Sequence, residues 1–184
     1  MKLNVKQLVL AALFAALTAV GAFVKLPISV VPITLQVFFV FLAGLSFSPY
    51  AALLSQAAYL IIGLAGVPVF TGGGGISYAL TPTFGYLLSF LLMAPMTSFL
   101  ARKYLFNGKT AKFAAFSTLL TLLCELIGIG YMALVLHFLG TPLAASKAFY
   151  MLYVFFPIDL VKLALSVLLA AAVRKRAPSL ISKK

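Results

Sequence analysis

Long apolar segments separated by short connections occupy most of this chain and restrict the folds open to it. Of its 184 residues, 64% are hydrophobic and only 9% are charged, and the mean hydropathy is +1.18. A water-soluble domain of this length could not bury so much apolar surface. The chain is therefore predicted to be an integral membrane protein that forms one domain over residues 1–184.

A helix needs about 20 apolar residues to cross the hydrocarbon core of a bilayer. By that measure the sequence predicts an all-α fold of six transmembrane helices, at residues 5–24, 33–48, 50–66, 83–101, 113–136 and 150–173. The second and third are short and are joined only by residues 47–49, which predicts a tight helical hairpin. The N-terminal segment resembles a signal peptide, but the rest of the chain is equally apolar, so we interpret it as the first helix.

The basic residues lie mainly on one side of the predicted helices. With the N-terminus in the cytoplasm, eleven of the fourteen Lys and Arg residues are cytoplasmic, Lys25 and Lys147 are external, and Lys162 lies within the membrane. This distribution follows the positive-inside rule and predicts that both termini are cytoplasmic. The net charge of +12 therefore indicates no nucleic acid partner, and membrane lipid is the expected surrounding.

Both acidic residues of the chain, Glu125 and Asp159, lie inside predicted helices. A charge near the bilayer centre costs about 2.5–3.5 kcal/mol or more, so such residues usually face a partner, a cavity or a ligand. Asp159 and Lys162 are three residues apart and share a helix face. They either neutralise each other so that the helix inserts or bind a ligand, and we favour the ligand. Glu125 lies at a similar depth, and it either pairs with Lys162 and frees Asp159 or is protonated.

Two connections on the predicted outer side are apolar. Residues 25–33 contain two prolines, and residues 67–82 contain four consecutive glycines between Phe70 and Tyr78. Irregular backbone at membrane depth is tolerated where it is buried in protein or lines a cavity. Residues 67–82 are therefore predicted to form a lid or pocket wall. The alternative is a flexible linker, although a linker would be more polar.

Small residues line part of the first predicted helix. Alanines recur there at a spacing of four residues, and such a surface allows another helix to approach closely. They are Ala11, Ala12, Ala15, Ala16 and Ala19. The approaching helix belongs either to this chain or to a partner protein.

Signals for catalysis or metal binding are weak. The sequence GKT at 108–110 resembles the end of a phosphate-binding loop, but Lys103 stands where that motif needs glycine. His137 is interpreted as an interfacial residue and Cys124 as a packing residue, and no spacing of His, Cys and acidic residues predicts a metal site. We therefore expect no enzymatic activity, no ATP hydrolysis by this chain, no cofactor and no metal.

Four motifs between Val31 and Phe90 resemble one known family. They are VPITLQ (31–36), LAGLSFSP (42–49), YLIIGLAGVPVFTGGGG (59–75) and PTFGYLLSF (82–90). With the Asp159-x-x-Lys162 spacing and the alanines of the first helix, they resemble BioY, the biotin-specific S component of energy-coupling factor (ECF) transporters. The similarity extends over nearly the whole chain, although Phe84 and Ser89 stand where the family usually has glycine.

The resemblance implies a multi-pass protein of a prokaryotic cell membrane that captures biotin for uptake. It also implies docking, through the five alanines, to a transmembrane coupling subunit that carries two ATPase subunits. Biotin would be the transported ligand, and polar groups with aromatic walls suit its ureido ring, thioether ring and carboxylate. The predicted ligand-binding residues are Gln36, Tyr59, Phe70, Gly73, Gly74, Tyr78, Tyr86, Asp159 and Lys162. The alternatives are an S component for another small vitamin and an intramembrane acid/base enzyme that uses Glu125 or Asp159.

Overall fold

The computed structural model describes residues 5–27 and 31–176, and six α-helices dominate this part of the chain. They are α1 (Val5–Phe23), α2 (Gln36–Ser46), α3 (Pro49–Leu64), α4 (Phe84–Lys103), α5 (Thr110–Phe138) and α6 (Ala145–Arg176). The prediction of an all-α fold with six helices is confirmed. Three residues of the charge count, Lys2, Lys183 and Lys184, lie outside the described residues, as do residues 28–30 of the first outer connection.

Three of the helices, α4, α5 and α6, are long and apolar enough to cross a membrane. The other three are apolar but shorter. α2 departs most from expectation, because its 11 residues rise only about 17 Å against a hydrocarbon core of about 30 Å. The predicted start of this helix at residue 33 is wrong, since Ile33 and Thr34 are in a strand.

A short antiparallel ladder precedes α2 and is the one strand pairing among the described residues. β1 (Lys25–Leu26) pairs with β2 (Ile33–Thr34). The N–H of Leu35 then donates to the carbonyl oxygens of Gly21 and Val24, each at 3.1 Å. The start of α2 is thereby held against the end of α1.

The tight hairpin between α2 and α3 is confirmed. Ser48 precedes α3, and its side chain accepts a hydrogen bond from the N–H of Ala51 at 3.4 Å. Pro49 occupies the first turn of the helix, where its missing N–H costs nothing.

Helix α4 is central to the bundle and packs against α2, α3 and α5, while α6 packs against α2 and α5. The main apolar core includes Phe41 and Leu45 of α2 and extends to Leu163 of α6. A second apolar cluster joins β2 to α5 and α6 through Met132 and Phe155. Members of both clusters, including Phe90 and Phe155, line a polar cavity.

A separate group of polar side chains is buried between α1 and α3. We call Thr18, Ser55 and Gln56, all fully buried, the α1–α3 polar cluster. The Gln56 amide donates to the Ser55 hydroxyl at 3.1 Å and to the Thr18 hydroxyl at 3.4 Å. The two hydroxyl groups donate in turn to backbone carbonyls of their own helices, both at 2.8 Å.

Candidate ligand-binding site

A cavity lies at the end of the bundle where α2 and α4 begin, beside the middle of α5 and α6. About 480 Å³ here is not filled by protein atoms, a volume that includes the open mouth, and the centre of a water-sized molecule can occupy about 50 Å³ of it. The residues that precede α2 and α4, Leu35 and Thr83, make no side-chain capping bond, and at α2 the Thr34 hydroxyl accepts from the N–H of Gln36 at 3.4 Å. The partial positive charge of two helix starts is therefore directed toward this end of the bundle.

A buried ion pair forms one wall of the cavity. The Lys162 ammonium group donates to Asp159 Oδ1 at 2.6 Å, from the next turn of α6. Asp159 is 3% exposed and Lys162 is 8% exposed, so both charges are shielded from water except through the cavity. One ion pair leaves several donors and acceptors of these two groups available to a ligand.

Two further polar groups face the same cavity with unmet hydrogen-bonding capacity. Glu125 of α5 is 3% exposed, and its Oε2 receives no hydrogen bond from any described donor. The buried Tyr86 hydroxyl of α4 likewise has no hydrogen-bond partner among the described residues. Because Lys162 pairs with Asp159, the alternative in which Lys162 pairs with Glu125 and frees Asp159 is wrong.

A hydrogen-bonded chain of side chains fixes the amide of Gln36, the first residue of α2. Its Nε2 donates to the Tyr59 hydroxyl at 2.6 Å, and its Oε1 accepts from the Thr34 hydroxyl at 3.0 Å. Tyr59 in turn donates to the Val69 carbonyl at 3.2 Å. The amide therefore has one orientation at the cavity wall, set by its neighbours on β2 and α3.

Residues 67–82 fold against the bundle and contribute Thr71 and Tyr78 to the cavity wall. The Tyr78 hydroxyl lies 2.9 Å from the Thr71 hydroxyl and 3.2 Å from that of Thr83. Phe70 and Gly73 bond each other's backbone, and a 3₁₀ helix follows at Ile76–Leu80. The prediction of a pocket wall is confirmed, and the flexible-linker alternative is wrong.

Phe70 anchors this segment to the bundle from behind the cavity. Its ring packs edge-on against Tyr59 at 5.3 Å and lies 4.7 Å from the ring of Tyr78. The ring occupies the place that a side chain on Gly63 would need, since a Cβ there would lie 2.1 Å from Phe70 Cζ. Glycine at position 63 therefore lets α3 accept the anchor.

Aromatic and aliphatic side chains complete the wall. The rings of Tyr86 and Phe155 lie 6.3 Å apart across the cavity, beside Val37, Leu87 and Phe90. Tyr86 can lie flat on α5 because residue 128 is glycine, where a Cβ would be 2.4 Å from the Tyr86 ring. The cavity thus combines apolar walls with a few fixed polar groups, which is typical of small-molecule sites.

Comparison with known proteins identifies the family. Residues 1–179 match the sequence profile of the BioY family. The chain belongs to the BioY family. A probable biotin transporter BioY of Pyrococcus horikoshii is 41% identical over 170 residues, which cover 91% of this chain and 96% of that protein. A probable biotin transporter BioY of Lysinibacillus sphaericus is 59% identical over 88 residues, which span 48% of this chain and 45% of that one, about half of each.

A solved structure has the same overall fold. The crystal structure of the S component for biotin from an ECF-type ABC transporter matches 95% of this chain and 95% of its own, with a TM-score of 0.73 and 27% identity. The all-helical architecture of this BioY-family chain is therefore one already observed in a transporter component.

Five of the nine predicted ligand-binding residues of this BioY-family chain line the cavity, namely Gln36, Tyr78, Tyr86, Asp159 and Lys162. The other four lie behind the wall or within the 67–82 segment: Tyr59, Phe70, Gly73 and Gly74. Tyr59 and Phe70 position Gln36 and Tyr78 from the second layer. Gly74 lets the segment close on itself, since a Cβ there would lie 2.2 Å from the Val67 carbonyl oxygen.

Ten lining residues were not in the predicted set. They are Val31, Pro32, Thr34, Val37, Thr71, Thr83, Leu87, Phe90, Glu125 and Phe155. Helical spacing could have indicated two of them, because Phe155 lies one turn from Asp159 and Phe90 lies one turn from Tyr86. The three threonines lie between helices, where no helical periodicity indicates which way a side chain points.

The alanines of α1 divide between two environments. Ala11 and Ala15 are buried within the bundle, Ala19 is half-buried, and Ala12 and Ala16 are exposed. An apolar groove runs between α1 and α3 and is lined by Ala12, Ala15, Ala16, Ala19 and Ile62. Part of the predicted docking surface is thus occupied by this chain's own helices, and docking itself stays a prediction.

The described residues contain no group of three or more His, Cys, Asp or Glu side chains placed to hold a metal ion. Cys124 is buried and its sulfur contacts the Ser89 carbonyl oxygen at 3.8 Å. The expectations of no metal and no cofactor stay predictions.

Proposed function

We propose that this chain is the biotin-binding membrane subunit, or S component, of an ECF-type ABC transporter that takes up the vitamin. One observation carries the proposal. The cavity holds a buried Asp159–Lys162 pair, an oriented Gln36 amide and aromatic walls. It lies in a fold shared with proteins that are named as biotin transporters or as the S component for biotin.

The chemistry of biotin matches the groups that line the cavity. Its ureido ring has two N–H donors and one carbonyl acceptor, and the carboxyl oxygens of Asp159 and the donors of Lys162 and Gln36 are of the complementary kinds. Its thioether ring and alkyl chain would lie against Tyr86, Phe155 and neighbouring aliphatic groups. Its carboxylate would be favoured by the threonine hydroxyls and by the partial positive charge at the starts of α2 and α4.

The placement of the charges supports a transmembrane arrangement with both termini in the cytoplasm. Arg102, Lys103 and residues 174–176 lie at the helix ends away from the cavity, whereas Lys25 and Lys147 lie toward the end where the cavity is. The positive-inside rule then directs the cavity outward in a prokaryotic cell membrane. The short α2 and α3 would cross the bilayer as a hairpin surrounded by longer helices.

Energy for uptake would come from separate proteins. The chain would dock to a transmembrane coupling subunit that carries two ATPase subunits. The exposed part of the α1 surface, Ala12 and Ala16, supports this role because small side chains let a partner helix approach closely.

Calorimetry on the full chain purified in detergent tests the proposal. Biotin should bind with about one molecule per chain, and thiamine and riboflavin should not compete. Binding of another vitamin without binding of biotin would reassign the substrate. Mass spectrometry of the ligand recovered after incubation should return unaltered biotin, and a chemically changed product would instead support an enzyme.

A further inference from the structure

Glu125 is the second acidic residue at the cavity, and it has no cation of its own because Lys162 is paired with Asp159. It lies at the middle of α5, is 3% exposed and lines the cavity. The ion pair between Lys162 and Asp159 is the single ion pair among residues 5–27 and 31–176. A buried carboxylate without a counter-charge would carry a large desolvation cost, so the role of Glu125 depends on how its carboxyl group is satisfied.

The carboxyl group of Asp159 supplies part of the answer. Glu125 of α5 and Asp159 of α6 line the same cavity, and both are 3% exposed. Two ionised carboxylates that face one buried cavity repel each other, which favours a proton on one of them. The ammonium group of Lys162 at 2.6 Å from Asp159 Oδ1 favours the charged form of Asp159 and hence the proton on Glu125.

Among the other titratable groups that face Glu125, Lys162 is the one cation, and it is paired with Asp159. Tyr86 faces it from α4, Cys124 precedes it on α5, and Asp159 and Lys162 face it from α6. The Tyr86 hydroxyl has no hydrogen-bond partner, and Cys124 is directed to the Ser89 carbonyl. Oε2 of Glu125 therefore receives no hydrogen bond from the described protein groups and is open to whatever fills the cavity.

We propose that Glu125 is a ligand-contacting residue that works as a neutral carboxyl group, keeping its proton and accepting a hydrogen bond from an N–H group of the ligand. The inference rests on the proposed function and adds a specificity determinant to it. A cyclic urea or lactam provides such an N–H, and a ligand with an N-methyl group in that place does not.

Two substitutions of opposite chemistry test this assignment by calorimetry on the full chain with biotin. Glu125→Gln keeps one donor and one acceptor in nearly the same shape, so its dissociation constant should stay within about threefold of the original. Glu125→Leu keeps the size but removes both, so affinity should fall about 10- to 100-fold. Thr121→Val is the matched control, because Thr121 is fully buried one turn earlier on α5 and bonds only the Ser117 carbonyl.

Biotin derivatives N-methylated at each ureido nitrogen provide the second measurement, whose first part uses the unaltered chain alone. One of them should bind the unaltered chain at least about tenfold more weakly than biotin does, and Glu125→Leu should bind that derivative and biotin almost equally. Unchanged biotin affinity in Glu125→Leu would overturn the inference alone. Equal losses in Glu125→Gln and Glu125→Leu would overturn the neutral form. An unaltered chain that binds no biotin would overturn the proposed function, and this inference with it.

Discussion

Two regions of the helical bundle bury polar side chains, and they differ in what surrounds those side chains. The α1–α3 polar cluster is closed: Thr18, Ser55 and Gln56 bond one another and the backbone, and no charge is present. The cavity also buries polar groups, but it adds an ion pair and open space. Both regions hold a buried polar atom without a hydrogen-bond partner, such as Gln56 Oε1 in the cluster and Glu125 Oε2 at the cavity. Neither burial of polar atoms nor an unmet hydrogen bond therefore identifies a site in a membrane protein. Charge together with open space does.

The largest expected effect is on the charged wall of the cavity. Lys162→Ala and Asp159→Asn should each weaken biotin binding by about 2–4 kcal/mol, because each leaves a buried partner uncompensated. Calorimetry measures the loss, and Lys147→Ala, an exposed lysine near the same end of the bundle, is the control. If Lys162→Ala binds within threefold of the original, the ion pair serves helix insertion rather than ligand binding.

A smaller effect is expected behind the wall. Gly63→Ala places a methyl group about where the Phe70 ring lies, so residues 67–82 should shift and biotin affinity should fall by about 1–3 kcal/mol. The double substitution Gly63→Ala with Phe70→Leu should regain part of that loss. Gly130→Ala on α5 is the control, since a Cβ there meets no atom within 4 Å. Equal affinities in all three variants would show that the anchor does not shape the site.

Loss of a polar side chain should affect ligand binding less in the α1–α3 polar cluster than at the cavity. Gln56→Leu should leave biotin affinity within about twofold and stability within about 1 kcal/mol, because both hydroxyl groups keep their backbone acceptors and Gln56 Oε1 already lacks a donor. Thermal unfolding and calorimetry of the same preparation measure the two quantities. A tenfold loss of affinity would remove the distinction between the two regions.

The smallest effect on affinity is expected on the exposed face of α1. Ala16→Trp should bind biotin like the original chain, yet uptake by cells that contain the coupling subunits should fall about tenfold, because a bulky group holds a partner helix away. Ala15→Trp is the contrasting variant, since Ala15 is 4% exposed and the ring should reduce thermal stability by overpacking. Normal uptake by Ala16→Trp would place the docking surface elsewhere.

The charged wall and the helix number could be predicted from sequence because both depend on local composition. Asp159 and Lys162 interrupt an apolar run at a spacing of three residues, which lets the two charges meet on one face of the helix. The wall formed by residues 67–82 was also predictable, because its glycines and aromatic residues are too apolar for a solvated linker.

Features that depend on how helices rotate against one another could not be predicted. The partner of Glu125 is set by the orientation of α5 relative to α6, which hydropathy does not report. Ala11 and Ala15 are buried whereas Ala12 and Ala16 are exposed, although both pairs have the same spacing. They differ because successive residues are rotated by about 100° around the helix axis. Composition also does not predict that α2 is short. Ile33 and Thr34, which are apolar enough to begin the helix, pair instead as a strand with Lys25 and Leu26.

One hydrogen bond described by the structure bears on how fast a ligand exchanges. The Lys25 ammonium group donates to the Thr71 carbonyl at 2.8 Å, in an exposed position that joins the strand ladder to the glycine-rich segment over the cavity. A bond from a charged donor contributes about 1.5–3 kcal/mol, and less where water screens it. We therefore expect this contact to open and close on the nanosecond-to-microsecond timescale of loop motion while the helices stay packed. Under the proposed function, the residence time of a ligand would then be set by the contacts it makes deeper in the bundle.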